Sequence, residues 1–251
     1  MLLVLNVGSS SLKAAVLQAT AARSTERWRT ETQRQGALPD QLGQWLAPQL
    51  DRWWSEIKAA GHRVVHGGES FIAPTPITVA VLEQLNAVSA LAPLHNPPAL
   101  EAIRWLQQLR PTLPQWACFD TAFHASLPPE ASTYALPSAW RQLGCRRYGF
   151  HGLNHQHVAE AAPCPRLISA HLGAGCSLAA VREGRSIDTT MGFTPLEGLV
   201  MASRSGSAAG ANGFVNQVNA LINAGAIPGL RAGAGPVQPA LRAAGARRLA
   251  R

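Results

Sequence analysis

The sequence predicts an α/β protein of two lobes. Three observations carry that expectation. Short apolar runs bounded by glycine turns alternate with segments of helical spacing, the pattern of a layered α/β architecture. The chain has 251 residues, 47% of them hydrophobic, enough for one large domain or two smaller ones with buried cores. An internal similarity supplies the third. Asn6-Val7-Gly8 is followed by Ala14-Ala15-Val16, and His171-Leu172-Gly173 by Ala179-Ala180-Val181. Both place a polar residue at the end of an apolar strand, then a glycine turn, then a second strand at the same offset. Such short matches also arise by chance; read functionally, they predict a duplicated β-turn-β unit, one per lobe.

Taken in order, Leu2 to Val7 is a short apolar run broken by Gly8-Ser9-Ser10-Ser11, with a second run from Leu12 to Leu17. Strand, tight turn and strand are expected. Residues 40–59 have helical spacing, with Leu42, Trp45, Leu46, Leu50, Trp53 and Ile57 on one face, Asp40 as cap and Gly61 as terminator. Pro48 predicts a kink within that stretch. Arg63-Val64-Val65-His66 reads as a strand running into Gly67-Gly68. Residues 78–90 form a helix by pattern, and another follows Asn96 with Pro97 and Pro98 in its first turn. Gln115 to Phe119 is a strand ending at Asp120. A helix begins near Gly152. Strands follow at 166–171, 176–181 and 185–189, and residues 214–222 have the spacing of an apolar helix.

Composition removes several function classes. The formal net charge is +8, but residues 207–251 supply most of it through Arg231, Arg242, Arg247, Arg248 and Arg251, with no acid. A nucleic-acid surface needs basic residues on a folded face with stacking aromatics, and this tail has only Phe214. No nucleic-acid partner is expected. No apolar run approaches the ~18–20 residues of a membrane span. The start, Met1-Leu2-Leu3-Val4, lacks a charged leader region and reads as a strand. Cys118, Cys145, Cys164 and Cys176 form no CxxC pair, which argues against a disulfide framework or a structural zinc. His151, His155 and His157 lie near Cys145 in sequence, yet their spacing matches no usual zinc set. A soluble, cytoplasmic protein is expected.

Neither glycine turn is a Walker-type loop, because G-x-x-x-x-G-K-[ST] is absent and each turn leads into a strand. Two facing turns would hold an extended polyphosphate through backbone N–H groups. A string of motifs then points to a family. In order they are Asn6-Val7-Gly8-Ser9-Ser10-Ser11-Leu12-Lys13, Gly61-His62-Arg63-Val64-Val65-His66-Gly67-Gly68-Glu69 and Ala92-Pro93-Leu94-His95-Asn96-Pro97-Pro98. Phe119-Asp120-Thr121-Ala122-Phe123-His124, Tyr148-Gly149-Phe150-His151-Gly152 and His171-Leu172-Gly173-Ala174-Gly175 follow. Met191-Gly192-Phe193-Thr194-Pro195-Leu196-Glu197-Gly198 and Arg204-Ser205-Gly206 close the series. The ordered set resembles the acetate kinase family of the acetate/sugar kinase, Hsp70 and actin superfamily, over about residues 1–206. The resemblance implies a two-lobed actin-like, ribonuclease H-like fold. Its domains would be a first lobe at 1–125, the start of a second lobe at 126–206 and a divergent tail at 207–251.

It also implies an activity: Mg²⁺-dependent, reversible transfer of the ATP γ-phosphoryl group to acetate, giving acetyl phosphate and ADP. Such chemistry rests on positioning and electrostatics around a metaphosphate-like transition state. By resemblance Asn6 belongs to the Mg²⁺ and phosphate corner, and Lys13 contacts the nucleotide phosphates with Ser9 and Ser11. Arg63 binds the substrate carboxylate, which suits a guanidinium fork. Val65, Leu94, Phe150 and Pro195 match the pocket for the acetyl methyl; each also reads as ordinary core. Asp120 has a catalytic role in the family. Acetate is already ionised at pH 7, so Asp120 is expected to hold Mg²⁺ or its waters rather than act as a base. His151 and Arg204 resemble the transition-state stabilisers, and His171, Leu172, Gly173, Ala174 and Gly175 the second phosphate loop. Ala174 stands where Asn is common. Bland alternatives remain beside these roles: a turn residue for Asn6, a solvated strand end for Lys13, a surface ion pair for Arg63 and a cap for Asp120.

After Gly206 the family continues into an acidic Asp-x-Asp-Pro stretch, whereas here Ser207-Ala208-Ala209-Gly210 follows. The second lobe is expected to be incomplete, as a frameshift or early stop would leave it. The rival readings are an inactive remnant of an acetate kinase and a binding module for a small carboxylate or phosphate. The family usually dimerises, so a homodimer is implied by resemblance.

Overall fold

The computed structural model describes residues 1–8, 10–20 and 24–209. Ser9 and the helix expected at 214–222 lie outside the described residues. The chain divides into two compact units, Met1–Gly67 with Ala73–Phe119, and Gly68–Ile72 with the chain from Asp120 onward.

The first unit is built on a mixed sheet. Strand β1 (Leu2–Val7) turns back as β2 (Ser11–Ala19), which pairs with β3 (Ser24–Gln33). Leu3, Leu5 and Val7 face inward with Leu12, Ala14 and Val16 opposite them, the period-two alternation of a sheet with one covered face. Strand β3 was not anticipated. Its sequence, STERWRTETQ, is polar on both faces, so it lacks a hydrophobic period to read. It is the outer strand, next to β2 alone in the order β3-β2-β1-β4-β6-β5 found among the described residues.

A helical stretch follows: α1 (Leu38–Gln41), a widened turn at Leu42–Leu46, α2 (Ala47–Leu50) and a tight turn at Asp51–Trp53. The expected break at Pro48 takes the form of that widened turn, closed by the Ala47 N–H on the Leu42 carbonyl. Proline has no N–H to continue a regular ladder. Helical structure ends sooner than the expected residue 59, because β4 begins at Ala59 and runs to Val64. Gly61 is therefore inside a strand rather than ending a helix. Asp40 sits in the first turn behind Ala37, which holds the cap position without a side-chain bond. The strand expected at 63–66 lies a few residues earlier.

The two-residue β5 (Thr75–Pro76) leads to α3 (Val79–Val88), capped by Thr78, whose Oγ1 accepts from the Val81 N–H at 3.2 Å. Helix α4 (Asn96–Leu109) buries Leu100, Ile103 and Leu106 completely. Strand β6 (Gln115–Phe119) falls where expected and runs parallel to β4, as β4 does to β1. The core of this unit joins Leu3, Leu5, Leu42, Leu46, Leu50 and Leu106, with Trp28, Trp45, Trp53, Trp54 and Trp105 packed around it.

The second unit opens with a tight turn at Ala122–Ser126 and the short helices α5 (Pro129–Ser132) and α6 (Ser138–Gln142), the latter burying Trp140. Helix α7 (Gly152–Ala161) precedes the meander β7 (Arg166–Leu172), β8 (Cys176–Arg182) and β9 (Arg185–Thr189). One face of this sheet packs Ala179, Val181 and Leu167 with Ala159 of α7 and Phe123. On the other face Ile168 and Leu172 are exposed. A buried arginine ties the unit together: Arg147 Nη1 donates to the carbonyls of Thr189 and Met191, each at 3.1 Å, and Nε to Ala131 at 3.1 Å. Among the described residues no helix is long and apolar enough to cross a membrane, and the four cysteines are free thiols.

Candidate functional site

In the first unit, candidate residues gather at the carboxyl ends of parallel strands. Asn6 and Arg63 are the penultimate residues of β1 and β4, each one step beyond the pair Leu5 and His62. Arg63 Nη1 donates to Asn6 Oδ1 at 3.1 Å. Lys13 is the cross-strand neighbour of Asn6 on β2 and of Glu31 on β3. Its Nζ lies 3.1 Å from Glu31 Oε1, with both side chains half exposed. The unanticipated strand β3 thus brings an acid to the lysine. The turn is closed by the Gly8 N–H donating to the Ser11 carbonyl at 2.8 Å.

Val65 is buried just past β4, whereas Leu94 is 72% exposed. Asn96 clamps the backbone beyond β4. It accepts from the His66 N–H at 3.0 Å and donates to the His66 carbonyl at 2.9 Å. Burial lowers the His66 pKa to about 3 and that of His62 to about 4, partly offset for His62 by its bond to Gln115. Both rings are neutral at pH 7. The Asn96 clamp was not anticipated, although Asn96 is part of the Ala92–Pro98 motif and opens α4.

In the second unit, Asp120 follows β6 directly and is 2% exposed. Its carbonyl accepts from the Gly152 N–H at 2.8 Å, and a side chain at Gly152 would collide with that carbonyl. Glycine there lets the start of α7 press against the Asp120 backbone. His151 precedes it in the left-handed region, φ 57° and ψ 21°, uncommon for a non-glycine residue and frequent at functional sites. His124 supports this turn from below. Its Nε2–H donates to the Phe150 carbonyl at 3.0 Å, and Nδ1 accepts from Ser186 at 2.8 Å. Burial lowers its pKa to about 4. Phe150 itself is buried and Pro195 partly so.

The second hairpin turn lies against these residues. Gly173 N–H donates to the Gly175 carbonyl at 3.0 Å. A Cβ on Gly175 would sit 3.0 Å from Arg204 Nη2 and 3.2 Å from His151 Nε2, so both side chains converge on the turn. Arg204 is anchored by Nη1 on the Pro195 carbonyl at 2.7 Å, and its segment is joined to the turn by the Ala202 N–H on the Ala174 carbonyl at 3.2 Å. Partial burial lowers the Arg204 pKa below its ordinary value. The His171 ring stacks on His151, centroids 4.0 Å apart, and Leu172 is 77% exposed. Asp120, His151, His171, Gly175 and Arg204 are thus placed in one unit, and Asn6, Lys13 and Arg63 in the other.

Behind His151 lies a polar row; the sequence offered only a helix face of satisfied histidines as one reading of His151, His155 and His157, and did not point to its serines. Ser177 Oγ is 2.9 Å from His151 Nδ1 and 2.9 Å from His155 Nε2, and His155 Nδ1 is 2.8 Å from Ser169 Oγ. The available signal was the His151-x-x-x-His155 spacing where helix α7 begins, with His151 just ahead of its first residue. Among the described residues no group of three or more His, Cys, Asp or Glu gathers as a metal cluster.

The family model described as the acetokinase family matches residues 25–221. Over 248 residues the chain is 46% identical to an acetate kinase of Synechococcus sp. (strain JA-2-3B'a(2-13)), covering 82% of this chain and 61% of the relative. It is 46% identical to an acetate kinase of Deinococcus radiodurans, covering 81% and 59%. The chain therefore spans about three fifths of the length of these curated relatives. Among solved structures, a propionate kinase from Francisella tularensis superposes with a TM-score of 0.74 at 40% identity, covering 82% of this chain and 60% of that one. Porphyromonas gingivalis acetate kinase gives 0.69 at 30% identity, covering 97% and 67%.

Proposed function

Because the chain belongs to the acetokinase family, with its actin-like α/β fold, we propose that it transfers the γ-phosphoryl group of ATP to acetate, reversibly, giving acetyl phosphate and ADP. The observation that carries this reading is the convergence of His151 and Arg204 on Gly175. Two donors at an anion-accepting turn suit the equatorial oxygens of a phosphoryl group in flight. Acetate needs no general base, since its carboxylate is already ionised at neutral pH. What the site must supply is charge and alignment. Arg63 pairs with the acetate carboxylate through its fork, oriented by Asn6. Lys13 and the backbone N–H groups of the hairpin turns neutralise the nucleotide phosphates. By family resemblance Val65, Leu94, Phe150 and Pro195 are the residues for the methyl contact; Val65 and Phe150 are buried, whereas Leu94 is 72% exposed.

The donors present fit Mg²⁺, which takes hard oxygen ligands. Asp120 offers a carboxylate and would hold the ion or its waters. Asn6 Oδ1 already accepts from Arg63, so Asn6 would orient metal-bound water. Bound with ATP, Mg²⁺ would neutralise charge on the phosphates. One solved relative is named a propionate kinase. A single methylene in an apolar pocket is worth ~1–3 kcal/mol, so acetate and propionate are expected to differ in kcat/KM by roughly 10- to 200-fold at most. The free thiols suit a reducing cytoplasm, and a homodimer is part of the same reading.

The test is acetyl phosphate formation by the purified 251-residue chain with ATP, acetate and Mg²⁺. Turnover lost in Arg63→Ala and in Arg204→Ala is the expected result. A cooperatively folded chain with no turnover rejects the kinase reading. If that chain still binds acetate or phosphate, the carboxylate- or phosphate-binding module takes its place.

A further inference from the structure

The row Ser169, His155, Ser177 and His151 has a direction that buried hydroxyl chemistry decides. His155 is fully buried, Ser177 is fully buried and Ser169 is 1% exposed. Burial, together with His124 and His171, lowers the His155 pKa to about 4, so its ring carries one proton at pH 7. One ring nitrogen donates and the other accepts. In the first arrangement His155 Nδ1–H donates to Ser169, and Ser177 donates to His155 Nε2 while accepting from His151 Nδ1–H. The buried Ser169 hydroxyl proton then has no acceptor among its recorded contacts, since His155 Nδ1 is the partner of its Oγ. In the second arrangement Ser169 donates to His155 Nδ1, His155 Nε2–H donates to Ser177, and Ser177 donates to His151 Nδ1. Every proton in the row is then used. A buried hydroxyl left without a partner is costly, so the second arrangement prevails.

We propose that Ser169, His155 and Ser177 form a one-way hydrogen-bond relay that ends by donating to His151 Nδ1, which leaves the Nε2 edge facing Gly175 to carry the His151 proton. The relay makes His151 an Nε2–H donor at the turn on which Arg204 also converges. Ser169, His155 and Ser177 are positioning residues, acting through His151 rather than on substrate. The inference rests on the phosphoryl-transfer reading for its purpose and not for its existence.

The decisive measurement is the imidazole nitrogen spectrum of the full, uniformly ¹⁵N-labelled chain at pH 7, which assigns the tautomer of His151 with no substrate present. The expected result is protonation on Nε2 in the parent chain and a mixture of tautomers in Ser177→Ala. Protonation on Nδ1 in the parent, or an unchanged tautomer in Ser177→Ala, overturns the relay. Should Ser177→Ala fail to fold, Ser169→Ala at the far end is expected to redistribute the His151 proton in the same way, and an unchanged tautomer there overturns the relay equally. In turnover, Ser177→Ala is expected to lower kcat roughly tenfold with KM values held within about twofold, the size of one lost hydrogen bond in a transition state. An unchanged kcat in a variant whose tautomer has shifted overturns the positioning role. A parent chain with His151 protonated on Nε2 and no turnover supports the relay while rejecting the kinase reading.

Discussion

Val7 and Leu172 each stand immediately before a turn glycine in two hairpins of matching sequence, yet Val7 is 5% exposed and Leu172 is 77% exposed. The difference comes from the turns. Val7 pairs with Leu12 across Gly8–Ser11, whereas Leu172 pairs with Cys176 across Gly173–Gly175. The second turn is one residue shorter. A one-residue change in register turns every side chain of a strand to the opposite face. The second strands keep the same orientation, with Leu12, Ala14 and Val16 inward in one and Ser177, Ala179 and Val181 inward in the other. The first strands are therefore flipped relative to each other. Asn6 shares a face with Lys13, while His171 shares the inner face with Ser177. Residues at equivalent sequence positions thus serve different surroundings. Before the longer turn, Asn6 meets Arg63 and lies opposite Lys13; before the shorter one, His171 stacks on His151.

Four measurements test this contrast, starting with the one that should move most. Acidification should weaken both units together. His62 and His66 in the first and His124 and His155 in the second all have pKa values lowered to between about 3 and about 4. The unfolded chain takes up protons near pH 6.5 while the folded chain does not, so stability falls as pH drops from 6.5 toward 4. Between pH 7 and pH 5 the loss is on the order of 1 to 2 kcal/mol for each ring. Urea unfolding followed by circular dichroism across that range checks it, and a flat profile would show that the rings are not held neutral. Next, Val7→Asp buries a carboxylate in the first hairpin and should cost ~3 kcal/mol or more, read as a lower urea midpoint. Gly175→Ala should lower turnover roughly 10- to 100-fold by pushing on Arg204 and His151, whereas Gly173→Ala, with its nearest neighbour at 3.6 Å, should stay within about twofold. Equal losses would show that the two glycines serve one purpose. Smallest of all, Leu172→Asp should change stability by less than ~0.5 kcal/mol. A shift like that of Val7→Asp would mean that something covers the outer face of β7.

Strands β1, β2, β6 and β8 were legible because each alternates or runs apolar between glycine or proline signals. Strand β3 was not, because an exposed outer strand needs no apolar face; Trp28 is its one large apolar side chain. The region from 38 to 64 was misread at its end. Ile57 continues the helical spacing, yet the chain has already turned toward β4, where Gly61 sits inside the strand although glycine favours helix ends. Among candidate site residues, the motifs singled out Asn6, Arg63, His151, Gly175 and Arg204. They did not reveal that Lys13 has Glu31 beside it, since that acid arrives on the unseen strand. Nor did they mark Leu94 as exposed, because a residue's facing within an irregular loop has no periodic signature. The support under His151 escaped notice for another reason. Serines on a strand read as ordinary polar positions until the fold turns them inward against a histidine.

The distribution of indole rings has a practical consequence. Trp28, Trp45, Trp53, Trp54, Trp105 and Trp116 belong to the first unit, and Trp140 alone to the second. Intrinsic fluorescence is therefore close to a private reporter of one half of the molecule. With Trp140 replaced by phenylalanine and excitation chosen to favour indole over the two tyrosines of the second unit, emission would report the first unit alone, and melting curves from emission and from backbone ellipticity would then separate the two halves without any external label.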